Sequence, residues 1–214
     1  MNGISIYVEG DGDKRFIEDY IQYLAKDNPS IVLPDGWKDN IYKTKGWLVF
    51  TTPKGEYIRN LMQKTTLRKG KNLVIFDADI DVESRRKELE SAKEKYNLDF
   101  EIFLLPNDKS SGALEELLEK LINPENKCIL ECWKHYEEEL KQQNISWKSP
   151  NMPTTPSSKS KIYAYLEALV GTSFSEKEKI KDPKRDFTNH NHWHLNAPGG
   201  NELRIFLLKY LLGI

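Results

Sequence analysis

The amino-acid sequence predicts an α/β fold, in which helices cover both faces of a mainly parallel sheet and a mostly helical C-terminal extension follows. Two observations carry this prediction. Apolar segments of strand length alternate with amphipathic helical segments through the first half of the chain, a pattern typical of parallel α/β sheets. Residues 73–76 are apolar throughout, as expected of a strand that is buried on both faces. Right-handed crossovers between such strands place the helices on the two faces of the sheet.

The first half of the chain is expected to contain four strands and three helices. Strand composition is found at residues 3–8, in one or two pieces of 41–50, at 72–77 and at 100–105. The first helix has apolar residues three and four positions apart as far as Leu24, and Asp11 or Asp13 is its expected cap. The other two helices are predicted at 54–67 and at 82–96, the second of them capped by Asp81.

The second half of the chain is predicted to be mostly helical. Helical patterns cover residues 113–122, 124–143, 161–170 and 202–212. Residues 144–160 are rich in proline, serine and threonine and predict a loop, and 171–200 are expected to be irregular. We therefore expect an α/β core at 1–124 and a helical C-terminal extension at 125–214, packed together as one compact unit.

The composition excludes several classes of protein. Of the 214 residues, 38% are hydrophobic and 30% are charged, as in a protein that folds in water. No apolar run has the length of a membrane span, and the N-terminus lacks the pattern of a signal peptide. We therefore expect a cytoplasmic protein with no membrane partner, in which the only cysteines, Cys128 and Cys132, stay reduced.

Acidic residues follow two of the predicted strands at the point where each strand ends. Glu9 follows the first strand, and Asp77 and Asp79 end the strand at 72–77. If the two strands are neighbours, these side chains project from the same edge of the sheet, where open α/β folds bind ligands. Asp13 lies four residues after Glu9. Carboxylates packed this closely raise one another's pKa, and a hard divalent cation such as Mg²⁺ relieves the repulsion.

A structural role is the alternative for each of these acids. Aspartates that follow strands often cap the next helix, and Asp11, Asp13 and Asp81 are each placed to do so. For a single pair of aspartates at a strand end, capping is the better interpretation, because so short a motif has many false matches. The combination of Glu9 with Asp77 and Asp79 across a βαβ unit favours a metal site.

Two segments resemble a known family. VEGDGDKRF at residues 8–16 and VIFDADID at 74–81 are similar to the motifs of the Toprim domain, which type IA and II topoisomerases, bacterial primases, small maturation nucleases and the overcoming-lysogenisation-defect (OLD) nucleases share. The resemblance is marked for stand-alone Toprim-like proteins of bacteria and for the Toprim part of the OLD nucleases. It implies a Rossmann-like Toprim sheet, in which Glu9 is the family glutamate and Asp77 and Asp79 form the family's DxD motif.

The same resemblance suggests further site residues. Asp13 matches a second acid of the first motif, and Glu115 matches the distal glutamate of an SxDxE-like motif that reads SGALE at residues 111–115. Ala113 stands where the family has the middle acid, so the resemblance leaves open whether one or two metal ions bind. The nucleases also use a downstream lysine, for which the sequence offers Lys159 and Lys161. The similarity covers residues 3–122, and the tail from 186 also resembles the stand-alone group.

The resemblance implies metal-dependent cleavage or phosphoryl transfer at a phosphodiester of nucleic acid, with DNA favoured over RNA. In this interpretation Mg²⁺ or Mn²⁺ is held by Asp77 and Asp79 with help from Asp13, and Glu115 anchors a second, weaker ion. Glu9 acts as a ligand or as general acid and base, and the lysine offsets charge on the phosphate. Two alternatives stay open: a non-catalytic nucleotide- or partner-binding module, and a protein that works only with a partner ATPase.

Two other segments bear on binding. The formal net charge is −1, so nucleic acid would have to meet a local basic patch, and residues 177–185 form the densest basic run. The sequence HNHWH at 190–194 has three alternating histidines, His190, His192 and His194. These could bind zinc, but a loop that hydrogen-bonds its imidazoles and buries Trp193 against the final helix is the favoured interpretation.

Overall fold

A four-stranded parallel sheet forms the centre of the protein. In the computed structural model, which describes residues 3–46, 50, 52 and 55–213, its strands are β1 (Ile4–Val8), β2 (Ile41–Lys43), β3 (Lys71–Asp77) and β4 (Glu101–Leu105). The sheet has the order β2-β1-β3-β4. All three strand pairings are parallel, which confirms the predicted Rossmann-like α/β class.

Eight α-helices surround this sheet in the described part of the chain. They are α1 (Asp11–Asp27), α2 (Glu56–Leu67), α3 (Val82–Lys95), α4 (Leu114–Leu121), α5 (Lys127–Lys141), α6 (Ser158–Val170), α7 (Phe174–Ile180) and α8 (Asn201–Leu211). Short 3-10 turns lie between some of them, including Asp182–Lys184 after α7. No helix in the described ranges combines the length and apolarity needed to cross a membrane.

The helices cover both faces of the sheet because alternate strand residues point to opposite sides. On one face Ile6 and Ile75 pack with buried residues of α1, α4, α6 and α8. On the other face Tyr7 and Val74 pack with buried residues of α2 and α3. Helices of the C-terminal extension thus complete the same core as the helices of the first half. The prediction of helices on both faces and of a mostly helical C-terminal region is confirmed.

The structure corrects the predicted elements in three places. Residues 171–200 are not wholly irregular, because Phe174–Ile180 forms α7. Ser173 caps this helix, and Glu176 in turn accepts a hydrogen bond from the backbone N–H of Ser173, a capping box of the S-x-x-E type. The helix predicted from residue 161 begins at Ser158, with Ser157 as its cap. The segment predicted as strand at 41–50 is β-structured only over Ile41–Lys43, and residues 47–49 of that prediction lie outside the described residues.

Candidate functional site

Glu9 and Asp77 meet at the carboxyl edge of the sheet. Strands β1 and β3 are neighbours in parallel register, with Val8 opposite Ile75, so both strands end at the same edge. The Oε1 atom of Glu9 accepts a hydrogen bond from the backbone N–H of Asp77 at 3.2 Å. The two acids are therefore fixed beside each other by the pairing of their strands, although 68 residues separate them in sequence.

Two helix N-termini bring further carboxylates to this edge. The Oδ2 atom of Asp13, in the first turn of α1, accepts the backbone N–H of Gly10 at 2.7 Å. The Oδ1 atom of Asp77 accepts the backbone N–H of Leu114 at 3.0 Å, which ties the start of α4 to the end of β3. Glu115 follows in the first turn of α4. We call Glu9, Asp13, Asp77 and Glu115 the carboxylate cluster.

The carboxylate cluster is electrostatically unfavourable when all its members are charged. Burial, together with the charges of Asp13, Glu9 and Glu115, raises the pKa of Asp77 to about 8. Burial and the charge of Asp13 likewise raise the pKa of Glu9 to about 7. The pKa of Asp13 is raised to about 6 by burial and by Glu115. Such shifts in a group of neighbouring acids are characteristic of functional sites.

Asp79 lies beside the cluster and has a different environment. Its side chain is 53% exposed and forms an ion pair with Arg85 of α3, whose own side chain is only 9% exposed. Its backbone adopts a φ of 53°, and its N–H and C=O both pair with Gly112. The charge of Asp79 contributes to the raised pKa of Glu9. Asp79 is thus close enough to act on the cluster, but in this structure its carboxylate is held by Arg85.

Two of the acids considered as caps take different roles. Asp81 caps α3 as predicted, because its Oδ1 atom accepts the N–H of Glu83 at 3.0 Å and its Oδ2 atom accepts the hydroxyl of Ser84 at 2.6 Å. Asp11 does not cap α1: the cap position is Gly10, and Asp11 forms an ion pair with Lys43. Capping thus explains Asp81 and not Asp11.

The two candidate lysines lie in different surroundings. Lys159 interacts electrostatically with Asp13 and Glu115 of the cluster. Lys161 lies 3.0 Å from a carboxylate oxygen of Glu119 and 3.9 Å from one of Glu137. Lys159 and Lys161 are two residues apart on α6. Their side chains point in different directions because the helix turns by about 100° per residue. Lys159 is therefore near enough to the cluster to affect two of its members, whereas Lys161 belongs to an ion-pair network of α4 and α5.

The basic run at residues 177–185 carries less available charge than its sequence suggests. Four of its five cationic side chains form ion pairs with acids of the same region. These pairs are Lys177 with Glu167, Lys181 and Lys184 with Glu178, and Arg185 with Asp182. Arg185 is also buried, with 3% exposure. Nucleic acid would have to displace these partners, so the basic patch stays a prediction.

The HNHWH segment has a structural role. Trp193 is 2% exposed, with ring centroids 5.6 Å from Tyr165 of α6 and 5.4 Å from Phe187. The backbone of His192 accepts hydrogen bonds from the hydroxyl of Tyr165 and the N–H of Asn123. These contacts agree with the interpretation that the segment is a structural loop. The expected partner of Trp193 was the final helix, and the rings that contact it are those of Tyr165 in α6 and of Phe187 in the loop that precedes Trp193.

Oxygen ligands are plentiful at the carboxyl edge, but they do not converge on one point. Across residues 3–46, 50, 52 and 55–213, no group of three or more His, Cys, Asp or Glu side chains is arranged to hold a metal ion. In Glu9, Asp13 and Asp77 one carboxylate oxygen is held by a backbone N–H. The second oxygen of each is the atom that could turn to a cation.

Two residues that contact the site were missed from the sequence. Arg85, which holds Asp79, comes from the interior of α3 and has no sequence motif around it. Asp182 binds Lys159 through a hydrogen bond across 23 residues. Neither contact follows from local spacing, because each depends on how separate elements pack in three dimensions.

Comparison with protein families places the chain in a family of unknown function. No curated protein and no solved structure is significantly similar to the chain. One protein family matches residues 4–198, a range that includes the sheet, the carboxylate cluster and Asp182 and that ends before α8. The chain therefore belongs to the family described as "Protein of unknown function (DUF3226)".

Proposed function

We propose that the protein is a Mg²⁺- or Mn²⁺-dependent enzyme that cleaves or transfers phosphodiesters of nucleic acid. The observation that carries this proposal is the carboxylate cluster, in which burial and mutual repulsion raise the pKa of Glu9, Asp13 and Asp77. A hard divalent cation would relieve this repulsion and is the ion that carboxylate oxygens favour. The resemblance of residues 8–16 and 74–81 to Toprim motifs supports the same activity.

Cation binding requires a local rearrangement of side chains. Asp77 and Glu9 keep one oxygen on a backbone N–H and would turn the other to the ion, together with Asp13. Asp79 would exchange its Arg85 partner for the cation, which its half-exposed position allows. Glu115 extends the acidic surface along α4 and would anchor a weaker second ion. When bound, the metal would supply Lewis-acid activation of a phosphoryl oxygen and of water.

The chain's own residues would then handle the proton and the phosphate charge. Where Glu9 does not itself bind the ion, its carboxylate, with a pKa of about 7 in the metal-free cluster, would serve as the general acid or base. The ammonium of Lys159 interacts electrostatically with Asp13 and Glu115 and would offset negative charge that develops on the phosphate. Lys161 pairs with acids that are not members of the carboxylate cluster, whereas Lys159 interacts with two of its members, so we assign the assisting role to Lys159.

The alternative of a nucleotide-binding module has less support. Helix N-termini bind phosphates through free backbone N–H groups. Here the N–H of Gly10 is bonded to Asp13 and that of Leu114 to Asp77, so both helix starts present carboxylates where a phosphate would have to lie. Nucleotide binding in the presence of a chelator, without any cleavage, would favour the module.

Plasmid nicking tests the proposal. With millimolar Mg²⁺ or Mn²⁺ the wild type should nick supercoiled DNA, and Asp77→Asn should lower the rate by about 100-fold or more. Asp99→Asn is the matched control, because Asp99 is an exposed acid at the opposite, amino edge of the sheet. It should stay within about twofold of wild type, as surface substitutions usually do.

Metal binding gives a second measurement for the same variants. Mn²⁺ titration followed by electron paramagnetic resonance should detect binding to wild type and to Asp99→Asn, and none to Asp77→Asn at the same concentrations. The proposal is wrong if no DNA or RNA is cleaved under any of these conditions and wild type behaves like Asp77→Asn.

A further inference from the structure

Asp182 joins three side chains beside the carboxylate cluster. Its Oδ2 atom accepts a hydrogen bond from the ammonium of Lys159 at 2.6 Å. Its Oδ1 atom accepts one from the hydroxyl of Tyr163 at 3.0 Å and one from the guanidinium of Arg185 at 3.1 Å. The side chain is only 21% exposed. Three donors therefore fix a single carboxylate on its two oxygens.

The framework that holds Asp182 is well packed. Arg185 is 3% exposed, donates to the carbonyl of Ile180 at 3.0 and 3.2 Å and lies over the rings of Tyr163 and Phe187 at 5.1 and 5.6 Å. Burial raises the pKa of Asp182, but the hydrogen bond from Lys159 and the charge of Arg185 outweigh it and lower the pKa overall. Asp182 is thus a charged group in a fixed position.

Asp182 also touches the helix that begins the site. A Cβ atom placed on Gly12 would lie 3.5 Å from Cγ of Asp182, so the carboxylate abuts the first turn of α1, next to Asp13. Lys159 and Tyr163 are four residues apart and lie on the same face of α6. Their shared bond to Asp182 directs this face towards α1. The ammonium of Lys159 consequently acts on Asp13 and Glu115.

We propose that Asp182 is a positioning residue, which holds the ammonium of Lys159 at the edge of the carboxylate cluster where a substrate phosphate would bind. This inference rests on the proposed function. A lysine side chain has four rotatable bonds and loses rotamer freedom when it is fixed. A partner that fixes it before the substrate arrives removes that loss from the reaction step.

Chemical modification tests the positioning without any catalysis. In wild type, Lys159 should react with limiting acetic anhydride more slowly than Lys134, a surface lysine that is 3.9 Å from Glu138 on α5, as measured by mass spectrometry. In Asp182→Ala the rate at Lys159 should rise several-fold while the rate at Lys134 stays constant. Equal rates at Lys159 in wild type and variant would overturn the proposal. If Asp182→Ala does not fold, the wild type alone decides the question. Reaction of Lys159 as fast as that of Lys134 in the wild type would then overturn the proposal.

A double-mutant cycle in the cleavage assay tests the consequence. Asp182→Ala and Lys159→Met should each lower kcat by about tenfold or more, with KM for DNA within about twofold. The double variant should be no slower than Lys159→Met alone, because Asp182 acts through Lys159. A purely structural role of Asp182 would give additive losses. Lys134→Met is the control and should keep wild-type kcat.

The outcomes separate this inference from the proposed function. If the wild type cleaves no nucleic acid, both the proposed function and the inferred role of Asp182 are wrong. A wild type that cleaves, with Asp182→Ala equally active or with additive losses in the double variant, would overturn the inference alone. A faster Asp182→Ala would also overturn it, since Asp182 would then compete with the phosphate for Lys159.

Discussion

Asp77, Asp79 and Asp81 are spaced alike in sequence and behave differently in the fold. Asp77 is the last residue of β3 and accepts the N–H that begins α4. Asp79, two residues on, has left the sheet and pairs with Arg85. Asp81 caps α3. The surroundings of each carboxylate decide these roles, because Asp77 is partly buried against the start of α4, whereas Asp79 and Asp81 are exposed beside α3.

This division predicts opposite effects for two substitutions. Asp81→Ala removes an acceptor of two hydrogen bonds at the start of α3 and should lower the melting temperature by a few degrees. It should leave Mn²⁺ affinity unchanged. Asp79→Asn should lower Mn²⁺ affinity by about tenfold with little effect on the melting temperature. Asparagine is chosen because it tolerates the positive φ of this position.

Thermal denaturation in chelator and Mn²⁺ titration provide the two measurements. Each variant serves as the control for the other, since both remove a carboxylate within five residues of the end of β3 and only one is expected to bind metal. An Asp81→Ala variant that loses Mn²⁺ binding but melts like wild type would contradict this division of roles.

At the scale of elements, the sequence predicts the strands and helices that have a clear local residue pattern. It does not predict the features that depend on tertiary packing. Strand β3 was recognisable because its residues are apolar on both faces, and α3 because Asp81 precedes a charged helical segment. Helix α7 was missed because it is short and only Ile180 in it is buried, so it has no apolar stripe. The meeting of Glu9 with Asp77 followed from parallel pairing, whereas the choice between Lys159 and Lys161 required the orientation of α6.

The junction of α2 and β3 makes a prediction about glycine. A Cβ atom on Gly70 would lie 2.3 Å from the carbonyl oxygen of Gly3 and 2.8 Å from Cγ2 of Thr65. That carbonyl accepts the N–H of Lys71 at 2.6 Å, next to the start of β3. Gly70→Ala should therefore push the beginnings of β1 and β3 apart and destabilise the protein by about 1–3 kcal/mol.

Gly12→Ala is the matched control in urea denaturation. Its new methyl group would have only ordinary contacts, the nearest at 3.5 Å, and alanine favours the helix more than glycine does. Its free energy of unfolding should equal or exceed that of wild type. If Gly70→Ala were as stable as Gly12→Ala, the close approach at the start of β3 would not constrain the fold.

At the scale of the whole molecule, the candidate site joins both halves of the chain. Glu9, Asp13, Asp77 and Glu115 come from the predicted core at 1–124, and Lys159 and Asp182 come from the extension at 125–214. α6 and α8 share the buried core on the face of the sheet that α1 and α4 cover. Folding of the extension is therefore needed to place the lysine beside the carboxylates.

The carboxylate cluster also links global stability to pH. Glu9, Asp13 and Asp77 have raised pKa values of about 7, 6 and 8 in the folded chain, whereas in the unfolded chain they titrate near their ordinary values of about 4. Between pH 4 and pH 8 the folded state retains protons that the unfolded state has released. The unfolding free energy contributed by these groups therefore falls as pH rises through this window. His192, whose pKa burial lowers, acts in the opposite direction.

Asp77→Asn isolates the contribution of the cluster. Asparagine keeps an oxygen for the N–H of Leu114 and removes one buried negative charge. In chelator, wild type should melt at a lower temperature at pH 8 than at pH 5.5, and Asp77→Asn should melt several degrees above wild type at pH 8. The difference between the two proteins should shrink at pH 5.5, where Asp77 is protonated in the folded wild type.

Millimolar Mg²⁺ at pH 8 should then raise the melting temperature of wild type and not of the variant, because a ligand stabilises only the state that binds it. Equal melting temperatures of wild type and Asp77→Asn at pH 8 in chelator would mean that the cluster carries no electrostatic strain, and the reason for placing a cation there would be lost.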